Sequence, residues 1–368
     1  MAITNKGVIK WALAAAAAAA VVLVAQTGAA GAAAQAGPSF SQVVVVGDSF
    51  SDNGNLYALT GGPLPPYWQG RISNGPVWAE YLAQKLGVPL IDFAWAGATT
   101  GVGNGVDGGT VDEPGAFGLP GMTTAFQNAF GAGPIDPNGL YILWGGGIDL
   151  RAATNPAEAS VVIGKAVTNL VTMAVTLQSL GATRILVLNL QDFAKAPAFL
   201  HEDPQILQFI TQGSLALNQA LKANLPPGVH YFDTFSRFAD LMANPGDYGL
   251  SNVTDQLIST PGADPNEFFY WDGVHPTTAA HAILANALFQ SVAPTVIIGG
   301  IDSGVPNLLL SSGSTISDMI ASAAIEAENH GQFVSSVAAI ANDLMKSGVI
   351  SGSQKGGLQS CAAEAVIR

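Results

Sequence analysis

The stretch Val43-Val44-Val45-Val46-Gly47-Asp48-Ser49-Phe50-Ser51-Asp52-Asn53-Gly54-Asn55 decides how the rest of the chain is read. Four consecutive valines predict a strand buried on both faces, because β-branched side chains favour the pleated backbone. Continuous apolar runs of this kind belong to parallel sheets covered by helices. The run stops at Gly47, and small and polar residues follow, as suits a loop at the carboxyl end of a strand. Open α/β sheets place their ligands there. Ser49 sits in that loop just past a glycine, the position of a nucleophile. A hydroxyl is weak alone and needs a base, so the chain must also supply a histidine, a carboxylate and oxyanion donors.

The segments around this strand repeat the alternation. Pro76 opens a helix with Val77, Tyr81, Leu82 and Leu86 inward, and Gly87 ends it. Residues 89–93, 140–144, 184–190 and 230–232 read as strands. Residues 122–130, 157–180, 204–225 and 234–243 read as helices, the last capped by Asp233, and Pro276 suits the first turn of a helix that runs to Val292. Strands alternating with helices predict a parallel sheet with helices on both faces. Residues 101–121, rich in glycine and carrying Asp107, Asp112 and Glu113, read as a flexible surface loop, since their spacing does not match an EF-hand calcium loop. Tyr67 and Trp68, in a proline-rich stretch, either line a cleft or pin their loop to the core. Residues 296–368 break the rhythm; with helices expected over 315–328 and 332–346, they are a packed extension or a flexible tail of unknown role.

Bulk properties bound the function. The 368 residues are 49% hydrophobic and 11% charged, with mean hydropathy +0.35 and net charge −13. Few, scattered basic residues argue against nucleic acid or an anionic membrane surface as the main partner. The single cysteine, Cys361, excludes an intramolecular disulfide and has no histidine beside it. Residues 1–36 have the pattern of a secretory signal: Lys6 and Lys10, then an apolar run from Trp11 to Ala25, then Ala34-Gln35-Ala36 as a small-x-small cleavage site. The competing reading is an uncleaved anchor, disfavoured by the shortness of the run. Cleavage removes two lysines and takes the charge from −13 to −15. The mature protein is then expected outside the cytoplasm with no spanning segment, and residues 37–295 form its main domain.

Asp272 and His275 lie three apart, just before a predicted helix. In a loop or first turn that spacing brings a carboxylate to the imidazole Nδ1 and leaves Nε2 for the serine. The pair alone also suits a structural hydrogen bond or half a metal site. Combined with the Gly-Asp-Ser loop it points to serine hydrolysis.

Four separated blocks, over roughly residues 40–292, then make the chain resemble the GDSL-type lipase and esterase family of the SGNH hydrolase group. Residues 47–55 resemble its first block, and Arg71-Ile72-Ser73-Asn74-Gly75-Pro76-Val77-Trp78 its continuation. Residues 92–100 resemble its second block, and Asp272-Gly273-Val274-His275-Pro276-Thr277 its last. The resemblance implies a flavodoxin-like three-layer α/β/α sandwich with a mostly parallel sheet and a carboxylic ester hydrolase. It implies Ser49 as nucleophile and oxyanion donor, Gly97 as the second backbone donor, His275 as base and Asp272 as its orienting residue. It implies no cofactor and no metal, and a small-molecule or lipid ester as substrate.

The third block departs from the family. Where an asparagine usually donates a side-chain hydrogen bond to the oxyanion, Gly146-Gly147-Ile148-Asp149 places Ile148, which has no donor. Losing one such donor typically costs about 10²–10³ in kcat. Asn53, Asn74 and Asn104 are the candidate substitutes, and Asp92 replaces the asparagine often found at the start of the second block. An alternative reading is therefore a binding module that keeps the fold without turnover; others are a sugar O-acetyl esterase or an acyltransferase. Asp48 and Asp52 read as loop formers, Asp149 as ordering its loop or capping the next helix, and His201, His230, His281 and His330 as ordinary surface or core residues.

Overall fold

The computed structural model describes residues 40–131 and 133–367. The proposed signal, residues 1–36, lies outside them. Residues 37–368 form one compact unit.

The valine run is strand β1 (Val43–Gly47), an interior strand that is fully buried. It pairs in parallel with β2 (Leu90–Asp92) on one side and β3 (Leu140–Trp144) on the other; β4 (Arg184–Leu188) and β5 (His230–Phe232) follow, giving the parallel order β2-β1-β3-β4-β5. Side-chain alternation sorts each strand into two layers. Val43, Val45, Ile142, Leu186 and Phe232 face a core completed by α2 (Trp78–Leu86), α7 (Thr234–Ala243) and α8 (Thr278–Val292). Val44, Val46, Leu143 and Val187 face the other, completed by α3 (Met122–Phe130), α5 (Pro156–Ser179) and α6 (Pro204–Asn224). The three-layer α/β/α sandwich expected from the sequence is thus the observed fold. Helix α5 is long and apolar enough to cross a membrane by length and composition. Here it covers the sheet with Ala166, Leu170, Met173, Ala174 and Leu177. The two short helices α1 (Asn55–Thr60) and α4 (Gly147–Arg151) follow β1 and β3 at the carboxyl end of the sheet.

Three expectations are corrected. Residues 101–121 are a tightly folded loop rather than a flexible one: Asp107 accepts the Phe117 and Leu119 amides, and Asn104 is fully buried. Its backbone passes are so close that a Cβ on Gly103 would lie 2.0 Å from the Glu113 carbonyl oxygen, so the glycines serve packing. Pro76 lies outside α2, whose N-cap is Val77; the inner face is as read, with Val77 and Leu82 buried and Tyr81 and Leu86 packed partly covered against the same core, joined by Trp78, Ala79 and Ala83. Pro276 lies outside α8, whose N-cap is Thr277 accepting the Ala280 amide.

Residues beyond α8 are packed. A parallel pair, β6 (Asn252–Gln256) with β7 (Phe268–Tyr270), precedes that helix. After it come a hairpin of β8 (Thr295–Ile298) and β9 (Ile301–Pro306), then α9 (Ile316–Glu326), α10 (His330–Lys346) and α11 (Gly352–Glu364). They share a core of Val296, Ile298, Ile320, Phe333, Val337 and Leu358. Helix α11 was not expected from the sequence; its inner face is only Leu358, Cys361 and Ala362, too short and too weakly apolar a stripe to stand out among its glycines and polar residues. This segment covers the open edge of the main sheet, where the Tyr231 amide donates to the Gly313 carbonyl (2.7 Å). An unpaired sheet edge is a template for aggregation, and covering it removes that hazard.

Candidate active site

The site lies at the carboxyl end of β1, where sequence placed it. Beyond Gly47 the chain turns sharply: the Asp48 carbonyl accepts the Ser51 and Asp52 amides, and the Asp48 carboxylate accepts the Phe50 amide (3.1 Å). This holds Ser49 at the mouth of a cavity. The Ser49 hydroxyl lies 2.8 Å from His275 Nε2, and His275 Nδ1 lies 2.9 Å from both Asp272 oxygens. An ionised carboxylate only accepts, so Nδ1 carries the ring proton and Nε2 is left to accept from the serine. Burial alone would raise the Asp272 carboxyl. The His275 hydrogen bond and charge, with the Val274 and His275 amides, outweigh it and hold the group below its ordinary value.

Residues 71–78 clamp the histidine loop from the other side. The Ser73 hydroxyl donates to the Pro276 carbonyl (2.9 Å), the Asn74 side chain accepts the Thr278 amide (2.8 Å), and Thr278 donates to the Pro76 carbonyl (2.9 Å). Arg71 is held by Glu80 at 2.6 Å.

Gly97 and Ser49 both line the cavity, and neither amide has a protein acceptor among the described residues. Gly97 has φ +81°, and a Cβ there would come within 2.5 Å of Asn104 Oδ1 and of Val106 Cγ2, so both backbone conformation and space demand glycine. Two carboxylates fix the Gly97 turn. Asp52 accepts the Gly54, Asn55, Leu56 and Ala96 amides, joining the nucleophile loop to this turn. Asp149 accepts the Thr100 amide and hydroxyl, joining it to α4. Burial raises both carboxyls. Asp48 is pushed up to about 6, chiefly by burial. These three acids order loops, as the sequence suggested, and Asp92 joins them by accepting the Asn53 and Ala94 amides.

Ile148 lines the cavity beside Ser49 and Gly97. Of the substitute donors, Asn104 spends its side-chain N–H groups on the Ala96 and Pro120 carbonyls, and Asn74 is turned by its oxygen toward the Thr278 amide. Neither Asn53 nor Asn74 nor Asn104 is among the residues lining the cavity.

The cavity is about 650 Å³ and its walls are mostly apolar. Leu56, Phe193, Phe199, Phe209 and Ile210 line it. Sequence reasoning missed this wall. Ile206, Phe209, Ile210 and Gly213 follow i, i+3, i+4, i+7 spacing on α6, a stripe that reads as core until the cavity it faces is seen.

It also left Tyr67 undecided. The phenol donates to Asp272 Oδ2 (3.1 Å) and the ring packs edge-on against Trp271. Burial first, and the Asp272 charge next, push Tyr67 up to about 12, so it stays a donor. Hydrogen bonds to charged groups contribute about 1.5–3 kcal/mol, so Tyr67→Phe should lower kcat roughly tenfold by loosening Asp272, with KM little changed, in steady-state assays. Trp68 instead stacks under the Arg71 guanidinium. His281 is buried and, through burial above all, lowered to about 3, hence neutral.

A family model described as GDSL-like Lipase/Acylhydrolase matches residues 43–288. The chain belongs to this family. Members of the GDSL-like lipase/acylhydrolase family are carboxylic ester hydrolases, and the match runs from β1 into α8, the frame that carries Ser49, Gly97 and His275. Among curated relatives, the chain is 27% identical over 311 residues to a phosphatidylcholine-sterol acyltransferase of Aeromonas hydrophila, covering 69% of this chain and 90% of that protein. It is 26% identical over 288 residues to the thermolabile hemolysin of Vibrio parahaemolyticus serotype O3:K6 (strain RIMD 2210633), covering 68% of this chain but only 63% of the hemolysin. Among solved structures, an acetylxylan esterase from Geobacillus stearothermophilus aligns at TM-score 0.38 and 15% identity, over 68% of this chain and 93% of that one.

Proposed function

We propose that this ester hydrolase works through an acyl-enzyme on Ser49 and that its acyl group occupies the apolar cavity. The supporting observation is the unbroken hydrogen-bonded chain from Ser49 through His275 to Asp272, opening on that cavity. Ser49 Oγ attacks the ester carbonyl while His275 Nε2 takes its proton. The tetrahedral oxyanion is held by the Ser49 and Gly97 amides. Collapse expels the alcohol, to which His275 returns the proton. Water, deprotonated by His275, then attacks the acyl carbonyl and releases Ser49. Asp272 holds the ring tautomer and balances the imidazolium charge.

A cavity walled by Leu56, Phe193, Phe199, Phe209 and Ile210 favours an alkyl chain over acetyl, since each buried methylene contributes about 0.8 kcal/mol. The relative named as a phosphatidylcholine-sterol acyltransferase agrees with a lipid acyl donor. The test is turnover of p-nitrophenyl esters from acetate to decanoate, with Ser49→Ala as control. Turnover that rises with chain length and disappears in Ser49→Ala supports the proposal. Full turnover in Ser49→Ala overturns it.

Ile148 motivates the second reading, a module that binds esters without turning them over. Two amide donors suffice for slower catalysis, so we expect Ile148→Asn to raise kcat on short esters about 10–10²-fold, less than the full value of a well-placed donor. The same change should lower selectivity for long chains, because it makes part of the cavity wall polar. Export completes the proposal: residues 1–36 act as a cleaved signal, residues 37–295 carry the hydrolase, and residues 296–368 extend it.

A further inference from the structure

Large apolar side chains are exposed around the opening of the acyl cavity. Val106 and Ile206 line the cavity and are 57% and 44% exposed. Beside Val106, on the same ordered loop, Phe117 is 85% exposed, its amide pinned by Asp107. On α1, whose Leu56 lines the cavity, Leu59 is 63% exposed, and Leu64 on the following turn is 68% exposed. The two segments are joined beneath: Leu56 and Leu119 share one buried cluster with Ala96. Leu59 and Phe117 therefore stand on a common footing at the rim. Leu59 is within helix α1 and the Phe117 amide donates to the Asp107 carboxylate, so they are not the ends of loose loops. Other large apolar side chains, such as Val161, Val175 and Val366, are exposed elsewhere, but those bordering an apolar cavity form the kind of patch that marks an interaction site.

We infer that this rim seats the enzyme on the surface of aggregated neutral or zwitterionic lipid, which feeds acyl chains straight into the cavity. The inference rests on the cavity being the acyl site, as proposed above. A protein partner covering the same rim would close the opening, whereas a lipid surface is continuous with it and supplies the substrate through it. Charge selects the kind of surface. The rim loop carries Asp107, Asp112 and Glu113, and apart from His275 the only basic residue lining the cavity among those described is Arg151. Arg71 is bound to Glu80, Lys165 to Asp112, and the chain carries −13. An anionic bilayer would be repelled, while a neutral surface offers apolar burial without that penalty.

The test uses the full mature protein and the double variant Leu59→Asp/Phe117→Asp; neither residue lines the cavity. Three readouts are taken: co-sedimentation with phosphatidylcholine vesicles, with and without phosphatidylglycerol; hydrolysis of emulsified tributyrin; and hydrolysis of dissolved p-nitrophenyl butyrate. The parent should bind phosphatidylcholine vesicles and bind less as phosphatidylglycerol is added. Two lost apolar contacts should cut vesicle binding and tributyrin turnover at least about tenfold. Turnover of the dissolved ester should stay within about twofold, which also reports that the variant is folded. An equal loss on both substrates, no vesicle binding by the parent, or tighter binding to anionic vesicles overturns the inference. So does a parent dimer that the variant dissociates, since the rim would then be a contact between copies. Absence of dissolved-ester turnover in the parent would count against the acyl-enzyme proposal instead, and vesicle binding would still decide the rim.

Discussion

His275→Ala should lower kcat on a dissolved ester by a factor on the order of 10⁶, and Asp272→Asn by about 10⁴. The difference follows from what each residue touches. His275 Nε2 is 2.8 Å from the Ser49 hydroxyl and, among the described residues, is the only group hydrogen-bonded to it, so alanine leaves an unactivated alcohol. Asp272 never meets the substrate. It accepts from Nδ1 through both oxygens at 2.9 Å, which fixes the proton on Nδ1. An asparagine in its place can turn its NH₂ toward Nδ1 and reverse the tautomer, so that Nε2 carries the proton and cannot act as a base. The residual rate in both variants reflects the Ser49 and Gly97 amides, which remain. Burst and steady-state kinetics on one soluble ester check this, and equal small losses in both variants would count against the assignment.

The second large effect concerns stability. Asp318, on α9, accepts from His230 Nε2 (2.6 Å), Arg237 (3.2 Å), the Ser291 hydroxyl (2.9 Å) and the Thr315 amide (2.9 Å). It thereby ties the C-terminal segment to β5, α7 and α8. His230, read from sequence as an ordinary residue, is part of this clasp. Asp318→Ala leaves Arg237 and His230 largely buried without their carboxylate, and breaking such a buried set costs about 3–5 kcal/mol. The melting midpoint should fall by roughly 10 °C, while turnover of a dissolved ester at 25 °C is retained, because no member of the clasp lines the cavity. Burial would raise the Asp318 carboxyl, but His230 and Arg237 overcome it and hold it far below the ordinary range. Its contribution is therefore complete above the unfolded value of about 3.9 and is lost only as pH falls toward the folded value. Parent and Asp318→Ala stabilities should stay apart from neutral pH down to about 4 and converge below it. Denaturant melts across pH measure this.

Much of the catalytic end of the molecule was legible in the sequence because its constraints are local. Four valines fix a two-sided buried strand, and the change of composition at Gly47 fixes where it ends. The three-residue spacing of Asp272 and His275 closes a hydrogen bond within one turn, so no distant partner is needed to bring them together. Asp48 and Asp52 are loop formers of a similarly local kind, accepting the Phe50 amide and the Gly54 and Asn55 amides, whereas Asp149 reaches Thr100 across 49 positions.

Other features depend on residues far apart in the chain, and only the tertiary structure decided them. Tyr67 finds Asp272 across 205 positions, and no pattern around Tyr67 distinguishes a phenol that buttresses a carboxylate from one that pins a loop. The cavity beside Ser49 collects side chains from α1, α4, α5, α6 and the loops between the strands and helices, each of which reads as ordinary core by itself. The glycine-rich loop suggested flexibility, since glycine widens the conformations open to an unfolded chain. The same absence of Cβ lets its backbone passes pack closely. The sheet, the loop that carries Ser49 and the Asp272–His275 pair were readable from sequence, because periodicity and a three-residue spacing set them. The cavity, its exposed rim and the Asp318 clasp were decided by tertiary structure, because they exist only where distant segments meet.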